Sequence, residues 1–373
     1  MNLHNQKMEF NVGELMILGF KGLDVSAETK KTIHRYGISQ TILFGSNHPN
    51  NNYSSKQQLI ELTNQLQDIY AMKNPTLPMI ISVDQEGGKV QRFRNDFTLL
   101  PSAKQVSERV VEKNSVQLVF ELTQIQAGEL FSAGIQLNYA PVCDINTNPA
   151  NPVIGERAYG SDEPIVSKIV SAVVRGHLTQ NVQPCIKHFP GHGDTHVDSH
   201  FTLPVVNTPL ETLRTREWIP FHRAMKAGCN FLMSAHLMLP HLDPDHPGTF
   251  SKTFLKKYLR EELLFQGVVV SDDMQMQAIT DNYGKAEAPI LALEAGCDLL
   301  CYRFEEDAII AMDSIEKAIA DQRLSIDALK ASVARVRKVR SNVKLAKNEM
   351  NLSNRLQAIG SAEHLAFVQQ NFP

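Results

Sequence analysis

Short apolar runs alternate along the chain with longer amphipathic stretches. The runs Leu15–Phe20, Thr41–Phe44, Pro78–Val83, Ile135–Pro141, Gln183–Lys187, Phe231–Ser234, Gly267–Ser271 and Asp298–Tyr302 read as strands. Helical patterns fall at Ala27–Tyr36, Ser55–Tyr70, Ser115–Ala133, Pro164–Gln180, Pro209–Ala227, Lys252–Leu264 and Ala286–Ala295. Eight strands alternating with helices predict βα units and a parallel sheet. A closed barrel and an open doubly wound sheet both fit that count. The barrel is favoured because polar residues collect after many different strands, not after two neighbours at one switch point. Asp307–Val343 reads as helices, and residues 344–373 read as a polar C-terminal extension. The expected architecture is a single α/β unit, a (β/α)8 TIM-type barrel over residues 1–343 followed by a C-terminal helical extension over 344–373. No linker rich in Pro, Gly or Ser and no repeat beyond the βα alternation interrupts it.

Composition narrows the class. With 43% hydrophobic and 21% charged residues, the 373-residue chain is ordinary for a soluble globular protein. A formal net charge of −3 gives no basic bias toward nucleic acid or an anionic membrane surface. No apolar run reaches the roughly 18 residues a membrane span needs. Met1–Val12 is polar and has no signal-peptide core, so a cytoplasmic location is expected. The five cysteines, Cys143, Cys185, Cys229, Cys297 and Cys301, sit in or beside apolar stretches and read as reduced core residues.

The polar clusters follow the strands. Asp84-Gln85-Glu86-Gly87-Gly88 with Arg92 follows Pro78–Val83. Asp144 and the stretch Asn151-Pro152-Val153-Ile154-Gly155-Glu156-Arg157 follow Ile135–Pro141. Asp272-Asp273-Met274 follows Gly267–Ser271, and His236 follows Phe231–Ser234. In a barrel the C-terminal strand ends share one rim, so these groups converge on one mouth. Each also has a plainer reading. Alone, Asp272 is more simply a helix cap, Gly87-Gly88 a turn, and Arg157 a surface ion-pair partner.

The segment from Lys187 to His200 carries the most information. His188, His192, His196 and His200 recur every four residues, which on a helix would suggest a metal face. Pro190, Gly191 and Gly193 break any such helix, so the segment is a loop and metal binding is disfavoured. The loop ends in Asp198-Ser199-His200, in which the carboxylate can orient the imidazole and favour its protonated form. The chain has no Gly-x-Ser-x-Gly elbow, no dinucleotide fingerprint and no phosphate-cradling loop.

Lys187-His188-Phe189-Pro190-Gly191-His192-Gly193 followed by Asp198-Ser199-His200 resembles the signature of the β-N-acetylhexosaminidases of glycoside hydrolase family 3. The motifs at Asp84–Arg92, Asn151–Arg157 and Val270–Met274 are similar to the same group and occur in its order. The resemblance implies a (β/α)8 barrel that hydrolyses a terminal β-linked N-acetylglucosamine with retention, through a covalent glycosyl-enzyme and without a cofactor. Carried over by motif, Asp272 is the nucleophile and His200 the general acid/base paired with Asp198. Asp84, Arg92, Arg157, Lys187 and His188 would hold the sugar. Short, single-barrel cytosolic members of the group act on muropeptides in bacterial cell-wall recycling, which makes small carbohydrate fragments the expected partner. Lys89, Met274 and Ala158-Tyr159 depart from the group's usual Arg, Leu and Ser-Phe, away from the proposed acid and nucleophile. The extension after Lys344 has no recognised counterpart and leaves the oligomeric state open. A β-glucosidase or a glycoside phosphorylase of the same family is the nearest alternative. A metal-dependent hydrolase on the same barrel and an inactive sugar-binding protein are alternatives of other classes.

Overall fold

A computed structural model describes residues 9–195 and 203–373. Among the described residues, ten strands run in chain order as β1 (Met16–Gly19), β2 (Gln40–Leu43), β3 (Ile80–Val83), β4 (Gln85–Gly87), β5 (Val90–Gln91), β6 (Leu137–Asn138), β7 (Gln183–Phe189), β8 (Phe231–Ser234), β9 (Val268–Asp273) and β10 (Leu299–Tyr302). Eight of them close a parallel barrel in the order β1-β10-β9-β8-β7-β6-β3-β2. These eight correspond to the eight apolar runs of the sequence. The other two, β4 and β5, form an antiparallel hairpin above β3, within the polar cluster Asp84–Arg92, with Gly87-Gly88 at its turn.

Alternation along the strands sorts the side chains into two cores. Ile17, Ile42, Ile80, Leu137, Cys185, Phe231, Val268 and Leu299 fill the barrel interior. Met16, Leu18, Leu43, Ile81, Ile186, Leu232, Val269 and Leu300 point outward into the layer beneath the helices. Because the side-chain period of a strand is two, each interior position repeats two residues on. Val270, Cys301, Met233, Phe44 and Tyr139 form the next interior layer. One step further along the same parity stand Asp84, Asp272 and Arg303, and Lys187 follows Cys185 in the same way. The polar mouth is thus the top layer of the packing that fills the barrel.

Helices expected at Ala27–Tyr36, Ser55–Tyr70, Ser115–Ala133 and Pro164–Gln180 form within a residue or two of those limits. Helices at Ala103–Lys113 and Gln277–Tyr283 were not anticipated, although Ser102 and Gln105 make a capping box that marks the start of the first. The expected helix Pro209–Ala227 contains a wide π-turn at Leu213–Glu217, and Thr253–Glu262 is π-helical throughout. Apolar spacing does not separate these from α-helix. The extension folds into three short helices, Ala346–Glu349, Leu352–Ala358 and Ala362–Asn371, which dock on the helix Gln117–Ala133. Arg355 is buried there, with Nε donating to the Ser132 carbonyl at 2.7 Å and Nη1 to Asn64 at 3.0 Å. All five cysteines are free and buried. No helix among the described residues is long and apolar enough to cross a membrane.

At the end of the barrel away from the polar mouth, Asp298 enters β10 fully buried. Its carboxylate accepts from Arg260 Nη2 at 2.7 Å, Arg335 Nη2 at 2.7 Å and the Val269 amide at 2.8 Å. Removing one partner of a buried ion pair leaves an uncompensated charge. Asp298→Ala is therefore expected to lower unfolding free energy by about 3–5 kcal/mol in urea denaturation. A loss below about 1 kcal/mol would show that Arg260 and Arg335 find water instead.

Candidate active site

The mouth is built around a buried ammonium. Lys187 is 2% exposed, and its Nζ lies 2.9 Å from Asp84 Oδ1 and 2.6 Å from Glu86 Oε1. Arg157 grips Glu86 in a fork, Nε to Oε2 at 2.9 Å and Nη2 to Oε1 at 2.7 Å. Arg92 completes the group at longer range, with Nη2 3.5 Å from Asp84 Oδ2. Burial alone would push both carboxyls up and the lysine down. The opposite charges outweigh it: Asp84 and Glu86 lie below the ordinary carboxylate range, and Lys187 lies above its own. All four central groups are held charged. A three-residue 3₁₀ turn, Gly155–Arg157, delivers Arg157, while β7 delivers Lys187 and the β4–β5 hairpin delivers Glu86.

A second buried carboxylate organises the histidines. Asp144 is fully buried and accepts from the His188 ring Nδ1 at 2.7 Å and the His192 amide at 2.7 Å. The Nδ1 proton of His188 is therefore committed to Asp144, which fixes the orientation of the ring. Burial would raise the Asp144 pKa, but His188 and His192 lower it overall. Burial, with the nearby His188, pushes His192 down to about 4, so its ring is neutral at neutral pH. His192 Nδ1 sits 3.0 Å from Thr195 Oγ1.

The loop after β7 is stapled to the loop after β6. Asn151 Nδ2 donates to the His192 carbonyl at 2.9 Å and to Thr195 Oγ1 at 3.0 Å. Gly193 passes so close to Ile145 that an added Cβ would lie 1.6 Å from its carbonyl oxygen. Only glycine fits there. Asp194 accepts from Thr147 Oγ1 at 3.2 Å and from Thr208 Oγ1 at 2.8 Å. These bonds tie together the two stretches of chain on either side of residues 196–202. Asp198 and His200, the expected acid/base pair, lie outside the described residues.

Across the barrel, β9 ends in Asp272 and Asp273. The Asp273 amide donates to Asp272 Oδ1 at 2.7 Å. Asp273 itself turns aside to pair with Arg303, and its Oδ1 accepts from the Gln275 amide at 3.0 Å. The His236 ring donates through Nε2 to the Asp273 carbonyl at 3.1 Å and meets Thr249 through Nδ1 at 2.9 Å. His48 stacks on Phe44 with ring centroids 4.0 Å apart. Burial, then Arg92 and Arg303, pushes His48 down to about 4.

Asp84, Arg92, Arg157, Lys187, His188 and Asp272 all line one cavity of about 310 Å³. That volume is in the range of small-molecule sites. Sequence reading named these six but assigned no role to Glu86, Asp144, His192, His48 or Arg303, which support or line the same cavity. Glu86 and Asp144 stand inside the quoted polar clusters, so position was available from sequence and partnership was not. Among the described residues, no group of three or more His, Cys, Asp or Glu is arranged to hold a metal ion. The arrangement offers charged donors and acceptors around a cavity with a carboxylate, Asp272, in its wall. Such an arrangement is suited to hydrogen-bonding a small polar ligand.

Comparison with known proteins places the chain in a family. Residues 7–339 match the model of the glycosyl hydrolase family 3 N-terminal domain. The chain is 34% identical over 296 residues to a beta-hexosaminidase of Hydrogenovibrio crunogenus, covering 79% of this chain and 81% of that one. It is 31% identical over 360 residues to beta-hexosaminidase A of Pseudoalteromonas piscicida. That match covers 90% of this chain but only 58% of the longer relative. Among solved structures, a family 3 beta-N-acetylglucosaminidase from Paenibacillus sp. superposes with a TM-score of 0.89 at 33% identity, over 98% of this chain and 68% of that one. A beta-N-acetylhexosaminidase from Beutenbergia cavernae superposes at 0.77 with 27% identity, over 89% of this chain and 98% of that one. An eight-stranded barrel, its ordered motifs and these likenesses agree, and the chain belongs to glycoside hydrolase family 3.

Proposed function

We propose that the protein is a retaining exo-β-N-acetylglucosaminidase. The observation that carries this reading is the convergence of Asp84, Arg92, Arg157, Lys187 and His188 with Asp272 around one cavity. The names of the relatives, beta-hexosaminidase and beta-N-acetylglucosaminidase, support the sugar assignment. Muropeptide fragments are the natural substrate we assign, on the resemblance of the motifs to those of the short cell-wall-recycling members.

In this reading the charged lattice binds the terminal sugar and orients its anomeric carbon toward Asp272. The Asp272 carboxylate attacks that carbon, and the bond to the leaving oxygen breaks. The His200 imidazolium gives its proton to that oxygen as it departs. Asp198 holds the ring for this transfer and favours its charged form. The products of this half-reaction are a glycosyl-Asp272 ester, the free leaving group and a neutral imidazole. Water then attacks the same carbon. His200 takes the water proton, and the ester bond to Asp272 breaks. Two inversions give net retention. Using histidine as the acid avoids a second negative charge beside the nucleophile once the proton has gone. Its ordinary pKa, near 6.5, suits transfer at neutral pH.

The test is a pair of aryl glycosides compared with and without phosphate. Far higher turnover is expected for the β-N-acetylglucosaminide than for the β-glucoside, with no dependence on phosphate. Equal rates, or preference for the glucoside, would overturn the sugar assignment, and strict phosphate dependence would make the enzyme a phosphorylase.

The role of His200 has its own signature. General acid catalysis contributes about 10²–10⁴-fold and matters most for poor leaving groups. His200→Ala should therefore slow release of a sugar by far more than release of an acidic phenol. With the phenol, azide should accelerate turnover and yield a β-glycosyl azide, since azide needs no base to attack. Equal slowing of all leaving groups, with no azide effect, would remove His200 from the acid/base role.

A further inference from the structure

The C-terminal helices meet the barrel at a buried carboxylate that the proposed chemistry does not use. Glu129 lies on the helix Gln117–Ala133, is 2% exposed and faces no lysine or arginine within ion-pair distance among the described residues. Its Oε1 accepts from Thr98 Oγ1 at 2.5 Å, from the Gly360 amide at 3.0 Å and from His364 Nδ1 at 2.8 Å. Its Oε2 accepts from the Thr98 amide at 3.0 Å. One carboxylate thus joins three segments remote in sequence, two of which are the barrel loop after β5 and the C-terminal extension.

The contact is close as well as polar. Gly360 has φ +63 and approaches Asp96 so nearly that an added Cβ would lie 2.0 Å from its carbonyl oxygen. Lys56 bridges the same two segments, its Nζ donating to the Ile359 carbonyl at 2.9 Å and its amide to Asp96 Oδ2 at 3.0 Å. From this junction a continuous set of hydrogen bonds, buried except for the last at the Arg92 amide, leads to Arg92. Gln91 Nε2 donates to the Thr98 carbonyl at 2.9 Å and to the Phe93 carbonyl at 3.1 Å. Gln85 Oε1 then accepts from the Phe93 amide at 3.1 Å and from the Arg92 amide at 2.8 Å. Gln85 is in turn fixed to β6 by Asn138, whose Oδ1 accepts from its amide at 2.9 Å. The backbone of Arg92 is therefore held on one side by the barrel and on the other by the segment that the extension clamps.

We infer that Glu129, Gly360 and His364 are positioning residues that use the C-terminal extension to set the place of Arg92 in the sugar site. This rests on the reading of Arg92 as a sugar-binding group. Buried polar networks act as units, and their members couple when tested together. Asp272 is carried by β9, on the other side of the barrel from this clamp. Loosening the clamp is therefore expected to weaken ground-state grip more than chemistry.

The test uses the full chain and an aryl β-N-acetylglucosaminide, with each variant made alone and in an Arg92→Ala background. Gly360→Val should raise KM about tenfold and change kcat by less than about threefold. His364→Ala should act the same way more weakly. His364→Asn, whose amide still donates to Glu129, should recover most of the loss. In the Arg92→Ala background both effects should shrink below about twofold, because the group they position is gone. Losses that multiply with Arg92→Ala, that fall on kcat alone, or that are absent in every variant would overturn the inference while leaving the sugar assignment intact. If Arg92→Ala by itself leaves KM unchanged, the role of Arg92 falls and the positioning role falls with it. Should Gly360→Val fail to fold, the His364 pair carries the same cycle.

Discussion

A lysine ammonium buried to 2% exposure sets the terms for the whole mouth of this barrel. An unpaired charge in that position would be strongly destabilising, so Lys187 requires Asp84 and Glu86, and Glu86 in turn requires the fork of Arg157. Each partner arrives from a different element, so the four charges can be satisfied only when β3, β7, the β4–β5 hairpin and the turn at Arg157 are all in place. The four central charges, Lys187, Asp84, Glu86 and Arg157, balance as two cations and two anions, and Arg92 adds one further positive charge at the edge of the group. Such a lattice holds fixed charges at the cavity without reorganising, which under the proposed function is the form of polar environment that stabilises a charged transition state.

The lattice sits where it does because of strand periodicity. Ile80, Ser82 and Asp84 share one parity, as do Val268, Val270 and Asp272, and Leu299, Cys301 and Arg303. The lower members pack the barrel interior and the upper members open into the cavity. A one-residue slip of any strand would send its polar residue outward beneath the helices. Packing of the lower layers therefore holds the register on which the upper layer depends. On β9 the same parity separates two adjacent carboxylates. Both line the cavity, Asp272 in line with Val268 and Val270, and Asp273 engaged there by its ion pair with Arg303.

Much of this was readable from the chain, for identifiable reasons. The eight barrel strands announce themselves as short apolar runs, and their following polar residues mark the rim. The hairpin β4–β5 does not announce itself, since Asp84–Arg92 has too few apolar residues to show a strand period. The direction of Glu86 was therefore hidden even though its motif was plain. Asp144 was hidden differently: it acts on His188 and His192, some forty residues further along, through contacts no local pattern encodes. The extension is anchored both by apolar packing, with Ala346 and Ile359 buried in the core, and by polar bonds of Arg355, Gly360 and His364, and its sparse apolar residues gave no clear period to read. The π-helical turns keep the apolar spacing of ordinary helices and so left no trace. Asp198 and His200 stand on sequence alone.

The nucleophile we propose is Asp272 and not its neighbour Asp273. Incubation with a 5-fluoro-N-acetylglucosaminyl fluoride should trap the glycosyl-enzyme, because the second fluorine slows its hydrolysis. Intact-mass measurement followed by peptide mapping reads the outcome directly. One sugar per chain, attached at Asp272, is expected. Attachment at Asp273 or at any other carboxylate, or steady turnover with no adduct at any time, would contradict it.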